Sequence, residues 1–230
     1  MDILTGYSER SDGSMYLSAE GFDPENLENR QRYFGRIGVG EMRIVAAGLV
    51  HGTRIGIVDA DTPAYLPETD ALVTTERGIL LTLTGADCFP LFFRDEEAGI
   101  VGLAHAGWRG IAAGIVGATV EALLRLGAEP ERIRLRMGPG ICRKCFEVGE
   151  EVARGFLDVP GAVMREESII RVDLPAVIRY RAARAGITPG RISGPDTCTS
   201  CLPGRYFSYR RDRPDVLETQ VAFIGICKSA

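Results

Sequence analysis

Short apolar runs rich in Val, Ile and Leu recur along the chain, at 43–49, 54–58, 71–75, 79–84, 89–93, 99–104, 132–137, 169–172 and 219–226. Most have Gly, Pro or Asp within a residue or two of an end, and runs of this length so bounded predict strands. Three other stretches repeat at helical spacing. The first, 24–33, opens behind Asp23, an N-cap residue followed by proline at the first helical position. The second spans 110–126, where Ile111, Ile115, Val116, Val120, Leu123, Leu124 and Leu126 fall mostly on one face and Gly127 supplies the stop. The third, 175–185, lies between Asp173 and Gly186, and a shorter helix is expected over 149–157.

The segment 71–104 places three or four strands in succession with no helix between them, so regular βαβ winding is not expected. The pattern predicts an α+β fold, a layered α/β sandwich with mixed sheets. No internal repeat, low-complexity tract or Pro/Ser-rich linker marks a boundary, so residues 1–230 read as a single domain. With 45% hydrophobic and 25% charged residues, a sizeable core is available.

The formal net charge is −4 and the basic residues are spread out, Arg210-Arg211-Asp212-Arg213 being the densest run. The electrostatic footprint of a nucleic-acid binder is missing, which favours a small-molecule partner. Residues 1–6 lack the basic start and apolar stretch of a signal peptide. The run 111–120 is well short of the roughly 20 apolar residues of a spanning helix, and Gly114 and Gly117 interrupt it. A cytoplasmic protein without membrane contact is the expectation. Nothing in the pattern sets an oligomeric state.

The chain has two histidines, and both sit in Gly-containing motifs at the end of apolar runs, Leu49-Val50-His51-Gly52 and Ala104-His105-Ala106-Gly107-Trp108-Arg109-Gly110. Between them lies Thr84-Gly85-Ala86-Asp87-Cys88. Two imidazoles and a thiolate are the ligand set of a catalytic zinc whose fourth position stays open, and strand ends would bring the three together where loops converge. The same spacing fits satisfied loop histidines and a buried thiol. After Gly107, the N–H groups of a first helical turn and the Arg109 guanidinium would bind an anion such as phosphate; a tight turn with Trp108 as core filler fits equally. Asp87 is a candidate general acid, a carboxylate orienting a histidine, or a turn residue, and Asp70 presents the same choice. Asn29 and Arg30, near the end of the first helix, read as solvated positions ahead of a substrate role.

The remaining cysteines include two pairs, Cys142-x-x-Cys145 and Cys198-x-x-Cys201, with Cys145 and Cys198 lying 53 positions apart. That interval exceeds the common zinc-ribbon spacing. Structural zinc or a labile disulfide both fit, whereas a catalytic dithiol is disfavoured because neither pair opens a thioredoxin-like βαβ unit.

Taken together, Glu28-Asn29-Arg30, Val50-His51-Gly52, Asp70-Ala71-Leu72-Val73-Thr74, Ala86-Asp87-Cys88, His105-Ala106-Gly107-Trp108-Arg109-Gly110, Gly138-Pro139, Phe146-Glu147-Val148-Gly149 and Phe207-Ser208-Tyr209-Arg210-Arg211 resemble the laccase-domain proteins across nearly the whole chain. That family goes by the names of multicopper polyphenol oxidases and purine nucleoside phosphorylases. The resemblance implies zinc held by His51, Cys88 and His105. It also implies phosphorolysis of adenosine, inosine and methylthioadenosine to base and sugar 1-phosphate, with adenosine deamination as a further activity. Cys88, His105, Asp87 and Arg109 are then the catalytic candidates, with Asp87 protonating the leaving base. Asn29, Arg30, Arg109 and Arg210 are the substrate-binding candidates. Leu49 stands where the family often has Gln, which removes a polar contact. A multicopper laccase needs a trinuclear cluster rich in imidazole, so with two histidines any copper would be adventitious. The competing activities are a thiol hydrolase, with Cys88 as nucleophile and His105 as base, acting on peptidoglycan precursors, and a zinc-stabilised module without catalysis.

Overall fold

The computed structural model describes residues 2–17, 23–39, 42–195 and 197–228. Its strands in chain order are β1 Ile3–Tyr7, β2 Arg43–Ala47, β3 Ile55–Ile57, β4 Tyr65–Leu66, β5 Ala71–Thr74, β6 Ile79–Gly85, β7 Phe89–Asp95, β8 Ile100–Ala106, β9 Arg134–Met137, β10 Val163–Glu166, β11 Ile169–Val172, β12 Ile192–Ser193 and β13 Gln220–Ile226. The α-helices are α1 Pro24–Arg36, α2 Trp108–Ala113, α3 Ile115–Arg125, α4 Glu150–Ala153, α5 Leu174–Arg184 and α6 Tyr209–Asp212.

Two mixed sheets carry the fold, one ordered β1-β13-β6-β2-β4 and the other β12-β9-β7-β8-β5-β3. The central strands β6, β8 and β13 are apolar on each face, and alternate side chains enter different cores, as the period-two geometry of a strand requires. On β8, Ile100 and Ala104 pack with α3 and α5 residues such as Val120 and Val177. Val101 and Leu103, with the opposite parity, meet Leu81, Leu83 and Ile224 of the other sheet. The far face of that sheet, through Leu80, Val221 and Phe223, is covered by Tyr33 and Phe34 of α1. The order of layers is therefore helix, sheet, sheet, helices. The mixed α/β sandwich expected from the pattern is the one observed.

Asp23 caps α1 by accepting from the Glu25 N–H, and Asp173 caps α5 by accepting from the Ala176 N–H. The helix expected over 110–126 is broken. Gly114 adopts φ 102°, a left-handed conformation that glycine tolerates, and this ends α2 and starts α3. The anion-binding turn foreseen after Gly107 thus belongs to a six-residue helix. Strands β1, β4, β10 and β12 escape the apolar pattern: two have only two residues, and the others are interrupted by Thr5 and Gly6 or end in Arg165 and Glu166. Among the described residues no helix is long and apolar enough to cross a membrane.

Phe93 on β7 is fully buried in the core shared with the helices. Phe93→Ala is expected to lower unfolding free energy by about 3–5 kcal/mol, read from urea denaturation.

Candidate metal centre and cavity

Three crossings from one sheet to the other build the site. β6, β2 and β4 are parallel neighbours, so their C-terminal ends share one edge of the sandwich. Each chain segment leaving that edge enters the second sheet: β2 leads to β3, β4 to β5 and β6 to β7. His51 lies on the first crossing, Asp70 on the second and Cys88 on the third. His105 reaches the same edge near the end of β8, which runs antiparallel to both β5 and β7. The sequence places His105 after its strand, but the structure places it inside, paired with Pro90 and donating its N–H to the Asp70 carbonyl at 2.8 Å.

The ligand atoms of His51, Cys88 and His105 lie within 4.8 Å of one another. Gly107 permits this approach: a Cβ there would sit 2.9 Å from Cys88 Sγ and 2.9 Å from His51 Cδ2. Asp70 orders the group. Its carboxylate accepts the N–H groups of Val50, His51 and Gly52 at 3.3, 2.9 and 2.7 Å, and its Oδ1 lies 3.1 Å from His105 Nδ1. The contacts hold His51 in a left-handed conformation, φ 59°, and leave Nε2 of His105 for Cys88 or a metal. A second nitrogen tied to a carboxylate is the usual support of a zinc-ligating histidine. A thiolate, two imidazoles and a cradle that tolerates no Cβ fit a metal ion with an open position.

The electrostatics follow from burial and pairing. Burial pushes the Cys88 thiol up, but the positive His105 ring and hydrogen bonds from both imidazoles outweigh it and hold the pKa down at about 6. Burial pushes His105 down, yet the Cys88 thiolate and the Asp70 hydrogen bond raise it to about 9. Asp70 is itself penalised by burial, and the His105 and Gly52 donors bring its carboxyl below the usual range.

These groups open onto a cavity of about 780 Å³ with walls that include Tyr16, Leu49, Phe146 and Tyr209. Arg109 and Arg210 also line it. The Arg109 guanidinium stacks on Trp108, 4.3 Å from the ring centre, and that of Arg210 lies 5.4 Å from Phe146 while donating to the Glu147 carbonyl. Leu49 presents an apolar side chain to this space.

Asp87 borders the cavity, but its oxygens are engaged. They accept the Thr199 hydroxyl at 2.6 Å, the Ser208 hydroxyl at 3.0 Å and the Arg210 N–H at 2.7 Å. The carboxylate that faces a histidine is therefore Asp70, and Asp87 fastens the segment that carries Tyr209 and Arg210. Asn29 and Arg30 are not solvated; they are 6% and 5% exposed, and neither lines the cavity. Asn29 Nδ2 donates to the Ser14 carbonyl and Arg30 to the Met15 carbonyl and the Thr82 hydroxyl. Burial lowers the Arg30 pKa to about 10, which still leaves it charged. Both side chains hold the segment that leads into Tyr16 and Leu17. The sequence reading gave no role to Phe146, Tyr16 or Tyr209. Phe146 and Tyr209 stand inside quoted motifs, whereas Tyr16 carries no local signal.

Two outcomes are expected here. In metal-free protein, iodoacetamide should label Cys88 with a midpoint near pH 6, some two units or more below an ordinary thiol; the thiolate persists above that pH and is lost below it. Peptide mapping reads the site, and a midpoint near 8.5 would contradict the ion pair. Asp70→Ala should weaken metal binding at this centre about 10- to 100-fold, measured by competition with a chromophoric chelator.

The family model described as multi-copper polyphenol oxidoreductase laccase matches residues 4–227. Purine nucleoside phosphorylase ORF3 of Streptomyces griseus is 39% identical, over 92% of this chain and 87% of that one. Adenosine deaminase RL5, from an unknown prokaryotic organism, is 35% identical over 80% of this chain and 76% of its own. The crystal structure of the Bacillus licheniformis hypothetical protein YfiH superimposes with a TM-score of 0.91 at 29% identity, covering 97% of this chain and 92% of that one. A match running through both sheets and all three crossings shows that the chain belongs to the multi-copper polyphenol oxidoreductase laccase family.

Proposed function

We propose that this protein is a zinc-dependent purine nucleoside phosphorylase acting on adenosine, inosine and methylthioadenosine, with adenosine deamination as a side activity. One observation carries the reading: a single cavity brings together the His51, Cys88 and His105 donors, two arginines and aromatic walls. A cavity of this size suits a nucleoside with an inorganic anion beside it. The names of the relatives, purine nucleoside phosphorylase and adenosine deaminase, support the same reading. The chain's two histidines argue against multicopper oxidation.

Each group has a task that follows from its chemistry. Tyr16, Phe146 and Tyr209 offer faces against which a purine stacks. Arg109 and Arg210 supply charge for phosphate, and Arg109 is held in place by its stacking on Trp108. Phosphate forms a bond to C1′ as the bond from C1′ to N9 breaks. Its electron pair leaves with the purine, which takes a proton from solvent in the cavity, because Asp87 already accepts three hydrogen bonds. Asp87 keeps the Arg210 wall in position. A zinc ion held by His51, Cys88 and His105 would supply Lewis acidity and a water of lowered pKa, the chemistry that deamination needs.

Free-base release from adenosine and inosine by the zinc-loaded protein, with and without phosphate, tests the proposal. Base and sugar 1-phosphate should appear only with phosphate and should vanish in His105→Ala. Arg109→Ala should raise the phosphate KM roughly tenfold, the loss of one charge-assisted contact. Absence of base release under either condition, with cleavage of a nucleotide-linked muropeptide amide that requires Cys88, would replace it with the thiol hydrolase.

A further inference from the structure

The two C-x-x-C pairs, far apart in sequence, meet beside the cavity. The sulfurs of Cys142, Cys145, Cys198 and Cys201 all lie within 4.8 Å of one another. Cys201 Sγ is 3.9 Å from Cys142 Sγ and 3.4 Å from Cys145 Sγ. A disulfide needs sulfurs about 2.05 Å apart. Four thiolates at about 2.3 Å from a zinc ion occupy tetrahedron corners separated by about 3.8 Å. The separations here are those of the second arrangement.

The backbone around the sulfurs has the form of a metal clasp. Cys145 N–H donates to the Cys142 carbonyl at 3.0 Å, closing the first pair into a turn. The Cys142 N–H donates to Cys198 Sγ at 3.2 Å, so an amide of one pair is aimed at a sulfur of the other. Such contacts stabilise thiolates and fix their direction. Gly140 bridges Cys198 in parallel, and the Thr199 N–H donates to the Gly140 carbonyl at 3.1 Å. Four thiolates around a divalent ion carry an excess of negative charge, and cations stand close by in both turns. Arg143 and Lys144 lie within the first pair. Arg211 donates to the Thr199 and Ser200 carbonyls, within the second, at 2.8 and 3.2 Å.

We infer that Cys142, Cys145, Cys198 and Cys201 form a second zinc site, a closed tetrathiolate centre with a structural role. Its four positions are filled by protein, so no open position is left for substrate. The first pair lies between Ile141 and Phe146, both of which line the cavity. The second pair precedes the segment that carries Tyr209 and Arg210, and Thr199 within it bonds to Asp87, the neighbour of Cys88. The ion therefore pins two cavity walls to each other and to the crossing that bears a ligand of the first centre. Binding releases the protons of the four thiols. The inference is independent of the reaction at the first centre.

The test is metal content of the full chain, prepared under reducing, anaerobic conditions, loaded with zinc and dialysed. Mass spectrometry of the elements should find about two zinc ions per wild-type chain. It should find about one in Cys198→Ser/Cys201→Ser, and about one in His51→Ala/Cys88→Ala. Cobalt substitution of the wild-type chain should give the sulfur-to-metal charge-transfer bands of a tetrathiolate, retained in the His51/Cys88 variant. If the serine variant does not fold, the wild-type stoichiometry and the cobalt spectrum of the other two proteins still decide. No zinc in His51→Ala/Cys88→Ala, zinc content in the serine variant equal to that of the wild-type chain, or a disulfide among the four cysteines of the anaerobic protein would overturn the inference.

Discussion

The buried carboxylate of Asp70 is the constraint on which the centre depends. A charge with no exposure to solvent is costly unless it is fully paired, and here three backbone N–H groups and one imidazole meet it. The pairing works in both directions. The N–H groups of residues 50–52 have an acceptor only if the first crossing folds over Asp70, and the ring of His105 is oriented only if β8 delivers it there. One side chain thus sets the conformation of His51, the direction of His105 and, through His105, the ionisation of Cys88.

That arrangement is possible because of the sheet topology. Parallel β6, β2 and β4 end at one edge, and β3, β5 and β7 begin at the same edge of the other sheet. Ligands 17 to 54 residues apart therefore meet without a long excursion of chain. The layers behind them are closed by Leu and Val packing on one side and by helices on the other. The unfilled space is left at the edge, where the loops converge, as sites built at sheet ends require.

The walls of that space are held by polar residues that do not themselves face it in the manner their chemistry suggests. Asp87 binds the Thr199 and Ser208 hydroxyls and the Arg210 amide; Asn29 and Arg30 hold carbonyls next to Tyr16. Asp87 also adopts φ 86°, a left-handed conformation that costs energy in a residue with a Cβ, and the three hydrogen bonds offset it. The Cys198–Cys201 pair lies on the same segment as Thr199, Ser208 and Arg210, so the cysteine clasp and the Asp87 contacts stiffen one wall.

Local pattern was enough to define most strands and helix caps, because apolar alternation, Asp at an N-cap and Gly at a stop act within a few residues. It was also enough to single out His51, Cys88 and His105, since two histidines and a cysteine in Gly-flanked motifs stand out against an ordinary composition. The choice between Asp70 and Asp87 was not legible, because both follow the same kind of local sequence and differ only in which crossing lies beside them. Asn29 and Arg30 looked solvated because polarity on a helix says nothing of a chain segment folded over it. The break at Gly114 was hidden in a run whose apolar positions kept their spacing. For the four paired cysteines the sequence alone left both zinc and disulfide open; only the tertiary structure, which carries residues 142–145 and 198–201 to the same corner, decided their separation. Composition and periodicity act along the chain, whereas the partner of a buried charge or thiol is set by the long-range packing of the sheets.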